Sequence, residues 1–217
     1  MPGDALSFPL RERRRQNLLP YKERRVDYYL LLRLGHIVGF VLFGGGLLAV
    51  FVSELRAYRT SDVHRFAEAA WYTATFYDAL VLPGAVLVAL SGLLLIFELG
   101  LGIFSEPWLV GMWGLFLFEF VEGNTITRRQ FQRTLRRSRE VLETGQLAAQ
   151  DRAEARTPLG RATHFLDLPL FLVIVYYGAM RPDSWLHVLA AIAVALVTTV
   201  ILSFAVPKLA RPPEAMI

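Results

Sequence analysis

Apolar residues in this chain fall in long runs, not in the short alternations of half-buried strands. Runs of this kind predict helices at about 28–52, 78–101, 107–127, 164–180 and 184–206. A helix needs about 20 predominantly apolar residues to cross the hydrocarbon core of a bilayer. Most of these runs reach that length, and the stretch from Ala79 to Phe97 and the last run carry no charge at all. The pattern predicts an all-α protein, a polytopic transmembrane bundle that takes in residues 28–206.

Polar positions mark what lies between. Residues 1–27 read as a basic juxtamembrane tail, with Pro9 and Pro20 interrupting any long helix. In 53–77 charged residues alternate with Phe66, Trp71, Tyr72, Phe76 and Tyr77, the pattern of an amphipathic helix at the interface that runs into the second span. Ser61 or Asp62 is placed to cap it. Pro83-Gly84 is expected to bend the second span near its start. Pro107 suits the first turn of the third, with Trp108 and Trp113 as interface anchors. A basic amphipathic helix follows at 128–145, with Phe131, Leu135 and Leu142 on one stripe and Gly145 at its end. Residues 146–162 read as a linker, Arg181-Pro182-Asp183 as a tight turn and 207–217 as a C-terminal tail.

Composition narrows the functional classes. The absence of cysteine removes thiolate metal sites, disulfides and cysteine nucleophiles together. The net charge of +4 gathers in 11–25 and 128–139, which suits anionic lipid headgroups. No soluble nucleic-acid recognition module accompanies it, so nucleic acid is not an expected partner. A partner membrane protein or a second copy of the chain is. The start of the chain shows no cleavable signal peptide, and insertion is assigned to the first span. Five spans alternate sides. The side receiving 53–77, 128–163 and the C-terminus carries more basic residues, which places it in the cytoplasm of a multi-pass protein of the bacterial inner membrane. The Arg-rich tail argues the other way.

Ionisable groups at membrane depth are costly and mark functional sites. In the first span Arg33 and His36 lie roughly 8 and 12 Å in from one face, at about 1.5 Å per residue. Glu98 returns to the depth of Arg33 and is its expected ion-pair partner, the alternative being separate snorkelling. His36 is the expected cofactor ligand, with Gly35 and Gly39 clearing room beside it for a flat ligand or a partner helix. His187 is its proposed second ligand, and Met112 and Met180 lie on the same side. His64 and His164 belong to the other side. Glu119, near mid-membrane, reads either as a proton-relay carboxylate or as a protonated acid bonded across helices, the second being favoured. Glu122 is expected to pair with Arg128 or Arg129, and Asp167 to sit near the interface. Nothing resembles a nucleotide-binding loop, a zinc helix or a serine elbow.

A series of short motifs then carries a resemblance. Leu32-Arg33-Leu34-Gly35-His36-Ile37-Val38-Gly39 and Phe43-Gly44-Gly45-Gly46 look like the first helix of a bacterial family of predicted integral membrane proteins designated a domain of unknown function. Leu82-Pro83-Gly84, Ser91-Gly92-Leu93-Leu94-Leu95, Pro107-Trp108-Leu109 and Tyr176-Tyr177-Gly178-Ala179-Met180-Arg181-Pro182 follow in order, so the resemblance covers about 28–182. That family is in turn distantly similar to the membrane domains of copper-resistance D proteins and of the membrane-bound protoporphyrinogen oxidase. The resemblance implies a four-helix core to which the fifth transmembrane helix is added. It also implies haem binding at His36, which matches the first-helix histidine of the oxidase. The oxidase's helix-3 lysine has no counterpart here, where Glu119 and Glu122 stand instead, so its reaction is not carried over and no catalytic residue is assigned. The leading expectation is a membrane protein that binds b-type haem (cofactor-binding residues His36 and His187) in a redox-associated role. The alternatives are a cofactor-free accessory subunit, with Arg33, His36 and Glu98 as polar contacts, and metal or small-solute transport through Glu119.

Overall fold

The computed structural model describes residues 19–147 and 158–209, and among them five long helices and no strand. Helix α1 is Leu19–Arg59, 41 residues and about 62 Å long. Helix α2 is Val63–Glu98, a single rod with a π-turn at Tyr77–Val81. Helix α3 runs from Pro107–Glu122 through a second π-turn, Gly123–Thr127, into Arg128–Thr144. Helices α4 and α5 are Pro158–Met180 and Trp185–Leu209.

Asp27–Ala57, Val63–Glu98 and Trp185–Ala205 are long and apolar enough to cross a membrane, and Phe165–Met180 is a shorter apolar segment. Leu31, Val41, Leu90, Phe97, Leu172, Leu186 and Val194 are more than half exposed on the outer faces. In water so large an apolar surface is a liability, whereas against lipid chains it is the required surface. This is an integral membrane protein.

Helices α1 to α4 close a ring in which α1 packs on α2 and α4, and α3 on α2 and α4. Helix α5 lies outside, against α4 and α3. It buries only a narrow stripe containing Val188, Ala195 and Thr199, a spacing near 3.5 residues that keeps one face on α4. The hydroxyl of Tyr177, fully buried, donates to the Val188 carbonyl at 2.6 Å and fixes α5 in register. A four-helix core with a peripheral fifth helix is the observed architecture.

The closest backbone approach joins α1 to α2. A Cβ on Gly84 would stand 2.5 Å from the Phe43 nitrogen, and one on Gly39 would stand 2.9 Å from the Val88 nitrogen. Gly39 therefore serves helix packing and not a flat ligand, one of the two uses expected of it.

Several boundaries differ from expectation. Pro20 stands in the first turn of α1, where its missing N–H costs nothing, so it begins the helix instead of interrupting it. The rest of the expected tail (1–18), most of the linker (148–157) and residues 210–217 lie outside the described residues. The amphipathic segments do not lie separately on the interface. They extend the spanning rods and pack on each other, with the Tyr77 and Phe131 rings edge to face at 5.6 Å. The rods are longer than the roughly 30 Å hydrocarbon core, so these polar ends project beyond it and bury Phe66, Phe131, Ser138 and Val141 between them. Leu142, assigned to that stripe, is exposed. Trp108 is buried beneath the Arg181 guanidinium, 5.4 Å from its ring centroid, and Trp113 faces the interior, so neither is an interface anchor. Gly145 ends α3 in the left-handed conformation, as expected.

Asp62 caps α2 by accepting the Arg65 N–H at 2.8 Å. That hydrogen bond holds its carboxyl below the usual carboxylate range. A depressed carboxylate stabilises the fold at pH values above its ordinary 3.8, and the contribution is lost as pH falls through the lower folded value. Asp62→Ala is expected to speed amide exchange at residues 63–66 at neutral pH and to leave it unchanged in strong acid, measured by hydrogen exchange in detergent.

Candidate functional site

Between the four core helices lies a half-open cavity of about 250 Å³. Every core helix contributes to its wall: His36 and Phe40 from α1, Val88 and Gly92 from α2, Met112 and Trp113 from α3, Ile174 and Gly178 from α4. His36 falls on the inward stripe of α1 with Leu32, Gly39 and Phe43. Its ring lies over Gly92, where a Cβ would come within 3.1 Å of the imidazole Cε1. The room beside His36 is thus made by Gly92 of α2, not by Gly35 of its own helix, whose Cβ would make only ordinary contact with Leu87 and Ser91.

Hydrogen bonding assigns the tautomer of His36. Its Nδ1 lies 3.1 Å from the Ser91 hydroxyl oxygen. That hydroxyl has one proton, which it donates to the Leu87 carbonyl one turn back. The Ser91 oxygen therefore accepts, and Nδ1 carries the hydrogen that it receives. In this tautomer Nε2 carries the lone pair, and the ring also lies within hydrogen-bonding reach of the Val88 backbone on α2. An imidazole oriented through one nitrogen and free at the other is how histidine is presented to a metal. The Trp113 indole N–H, on the wall of the same cavity, is buried without an acceptor among the described residues. Buried donors without partners are rare enough to call for a ligand or water.

Other expected site residues do not meet there. His187 is exposed on α5, outside the ring, and does not line the His36 cavity. Met180 is exposed, whereas Met112 faces the cavity from α3. Arg33 and Glu98 form no ion pair. Among the described residues the ion pairs are Arg56–Glu68 and Arg128–Asp78. Arg33 is one residue past buried Leu32, about 100° around the helix, and is exposed, as snorkelling requires.

The motifs in α1 to α4 and the turn after α4 can be set against known families. A family model described as a predicted integral membrane protein (DUF2269) matches residues 30–182. The chain belongs to this family. No curated protein and no solved structure matches it. The family match takes in His36, Gly92, Met112, Trp113 and Gly178, which is the whole His36 cavity, and stops before α5.

A second, smaller cavity lies further along the bundle, with Phe116 on the walls of both. Its volume is about 20 Å³, and Glu119, Asp167, Tyr77 and Asn124 line it. Glu119 is buried, and neither carboxyl oxygen has a hydrogen-bond partner among the described residues, so it is not bonded across helices as expected. Asp167, placed near the interface from sequence, lines this cavity because α4 begins at Pro158, six residues earlier than 164. Glu122 accepts the Thr127 hydroxyl at 2.9 and 3.1 Å instead of pairing with an arginine. Arg128 turns to Asp78 at 2.8 Å, where Gln132 joins it at 3.1 Å. Among the described residues no three His, Asp or Glu side chains converge as a metal site. Sequence reasoning missed Ser91, Asp78 and Tyr77. Ser91 alone left a signal, as a polar residue within the charge-free second span.

Proposed function

We propose that this protein binds b-type haem in the membrane and has a redox-associated role, with His36 and Met112 as the side chains that would hold it. One observation carries the reading: His36, oriented by the Ser91 hydroxyl 3.1 Å from its Nδ1, lines a cavity to which all four core helices contribute.

The residues present fit the group in their chemistry. An imidazole with a free lone pair and a thioether sulfur on the same cavity are a known axial pair for haem iron. Helical bundles build such sites from side chains on facing helices. Phe40, Val88, Phe116 and Ile174 give apolar walls that exclude water, Gly92 and Gly178 keep two of them thin, and the orphan Trp113 N–H offers a donor to a polar ligand edge. At about 250 Å³ the cavity falls below the roughly 300–1,000 Å³ of small-molecule sites, so haem held between His36 and Met112 would have to part the helices or extend into the lipid. Bound haem would supply reversible one-electron transfer. Ser91 would fix the plane of the imidazole and hold its tautomer, so that the lone pair needs no reorganisation on binding.

No counterpart of the oxidase's helix-3 lysine is present, so that reaction stays outside the proposal. The test is optical. The full chain, purified in mild detergent from cells supplied with a haem precursor, should show a Soret band that sharpens on dithionite reduction. A colourless protein with intact helical circular dichroism would contradict the proposal.

A further inference from the structure

The second cavity does not take part in the haem reading, and its composition is unusual for the interior of a membrane bundle. It sits where the two π-turns face each other. Tyr77 and Val81 come from the turn in α2, and Gly123 and Asn124 from the turn in α3. Both turns rest on identifiable chemistry. Pro83 has no N–H for the Ala79 carbonyl, and the Leu82 N–H bonds five residues back to Tyr77. The Arg128 N–H bonds likewise five back to Gly123. Such single π-turns inside helices occur most often at functional sites. Here they aim side chains inward. A Cβ on Gly123 would fall 2.7 Å from the Tyr77 hydroxyl, so only glycine lets that hydroxyl reach the cavity wall.

Among the described residues that line the cavity, the charged side chains are both acidic. Glu119 and Asp167 line it, and Glu54 of α1 and Glu122 of α3 lie close enough to act on Asp167 through space. The basic group nearby, Arg128, is already bonded to Asp78 of α2. Glu119 is only 8% exposed, and neither of its oxygens has a donor among the described residues. An ionised carboxylate cannot be kept there without a counter-charge. A cavity of about 20 Å³ exceeds the roughly 10–15 Å³ that one water needs, and it offers the two to four polar partners that a buried water takes. Asn124 also lines an open groove of about 430 Å³ formed by Arg128, Arg129, Gln132, Arg133 and Arg136. Among the described residues it is the one common to the walls of the small cavity and of that groove.

We propose that Glu119 and Asp167 form an intramembrane proton-binding site around one enclosed water molecule, reached from the arginine groove past Asn124. Loading moves one proton from a hydronium ion in the groove to a carboxylate oxygen and leaves a water behind. No heavy-atom bond changes, and no oxidant or reductant is consumed. Asn124 donates from its amide nitrogen to the Phe120 carbonyl at 2.8 Å, which leaves its own carbonyl oxygen to face the passing proton. The Tyr77 hydroxyl, let onto the wall by Gly123, is placed to donate to the water.

Infrared difference spectroscopy of the full chain in lipid nanodiscs tests this. The wild type should show a protonated-carboxyl stretch that shifts soon after transfer to D₂O. Glu119→Gln should remove that band, and Asp167→Asn should displace it. Asn124→Leu should slow its deuterium shift by about tenfold, the worth of one hydrogen-bonded step. Circular dichroism checks the fold of each variant, and if Glu119→Gln does not fold, the displacement in Asp167→Asn decides. A spectrum without a protonated-carboxyl band sensitive to either substitution would overturn the proposal. So would a band that never exchanges with D₂O in the folded protein, which marks a sealed structural acid. Neither result bears on His36 and haem.

Discussion

Gly84→Leu should abolish the folded protein. The Cβ it introduces meets the Phe43 nitrogen at 2.5 Å and its Cα at 2.9 Å. Those atoms are backbone and have no rotamer into which to retreat, so the two helices must separate along their whole contact. Overpacking of a core costs about 1–3 kcal/mol when side chains can shift. Here the cost exceeds that range, because the α1–α2 contact also brings His36 to Ser91. Gly45→Leu is the matched control. A Cβ at Gly45 meets nothing within 4 Å, and leaving glycine in a helix favours the fold by up to about 1 kcal/mol. Thermal unfolding in detergent should therefore separate two substitutions of the same chemistry, one with no folded fraction and one at or above the wild-type midpoint. Equal midpoints would refute the close approach of α1 and α2.

His36→Ala has the second large effect, on the cofactor and not on the fold. It removes one hydrogen bond to Ser91, worth about 1 kcal/mol, and enlarges a cavity that is already present. Bound haem, by contrast, loses its proposed ligand. The variants should form an order. His36→Ala loses the Soret band, and Met112→Ala keeps haem but changes its reduced spectrum and potential. His187→Ala matches the wild type, since that side chain is exposed outside the ring. Ser91→Ala keeps haem at reduced affinity, by about 10- to 100-fold, the usual effect of losing an outer partner of a ligand. If Met112→Ala and His187→Ala exchanged these behaviours, the second ligand would be misassigned.

Three of the five expected spans, those in α1, α2 and α5, were legible in the sequence because lipid imposes the strongest of constraints: long apolar runs with every backbone group bonded internally. The caps at Asp62 and Gly145 and the helix start at Pro107 were legible as well, since each acts within one turn. His36 stood out as an ionisable group at membrane depth. What it faces did not, because depth along a helix says nothing about rotation around it. Arg33 and Glu98 agree in depth, yet Arg33 points away from the ring, and His187 was matched to His36 by depth while sitting on the helix outside the core. The acid pair failed for a related reason. Asp167 was placed by assuming that α4 begins where its apolar run begins, and the helix starts earlier, in polar sequence. The π-turns add a rotation that no 3.6-residue pattern reveals, and Pro83 was their only visible sign, read as a bend.

The proposed haem binding rests on His36, which faces the cavity between the core helices. Its most direct measurement is the haem-to-protein ratio of the full chain and of His36→Ala, both purified from the same haem-supplied cells and matched by circular dichroism. The prediction is near-stoichiometric haem in the wild type and almost none in the variant. Haem retained equally by both, or absent from a folded wild type, would contradict it.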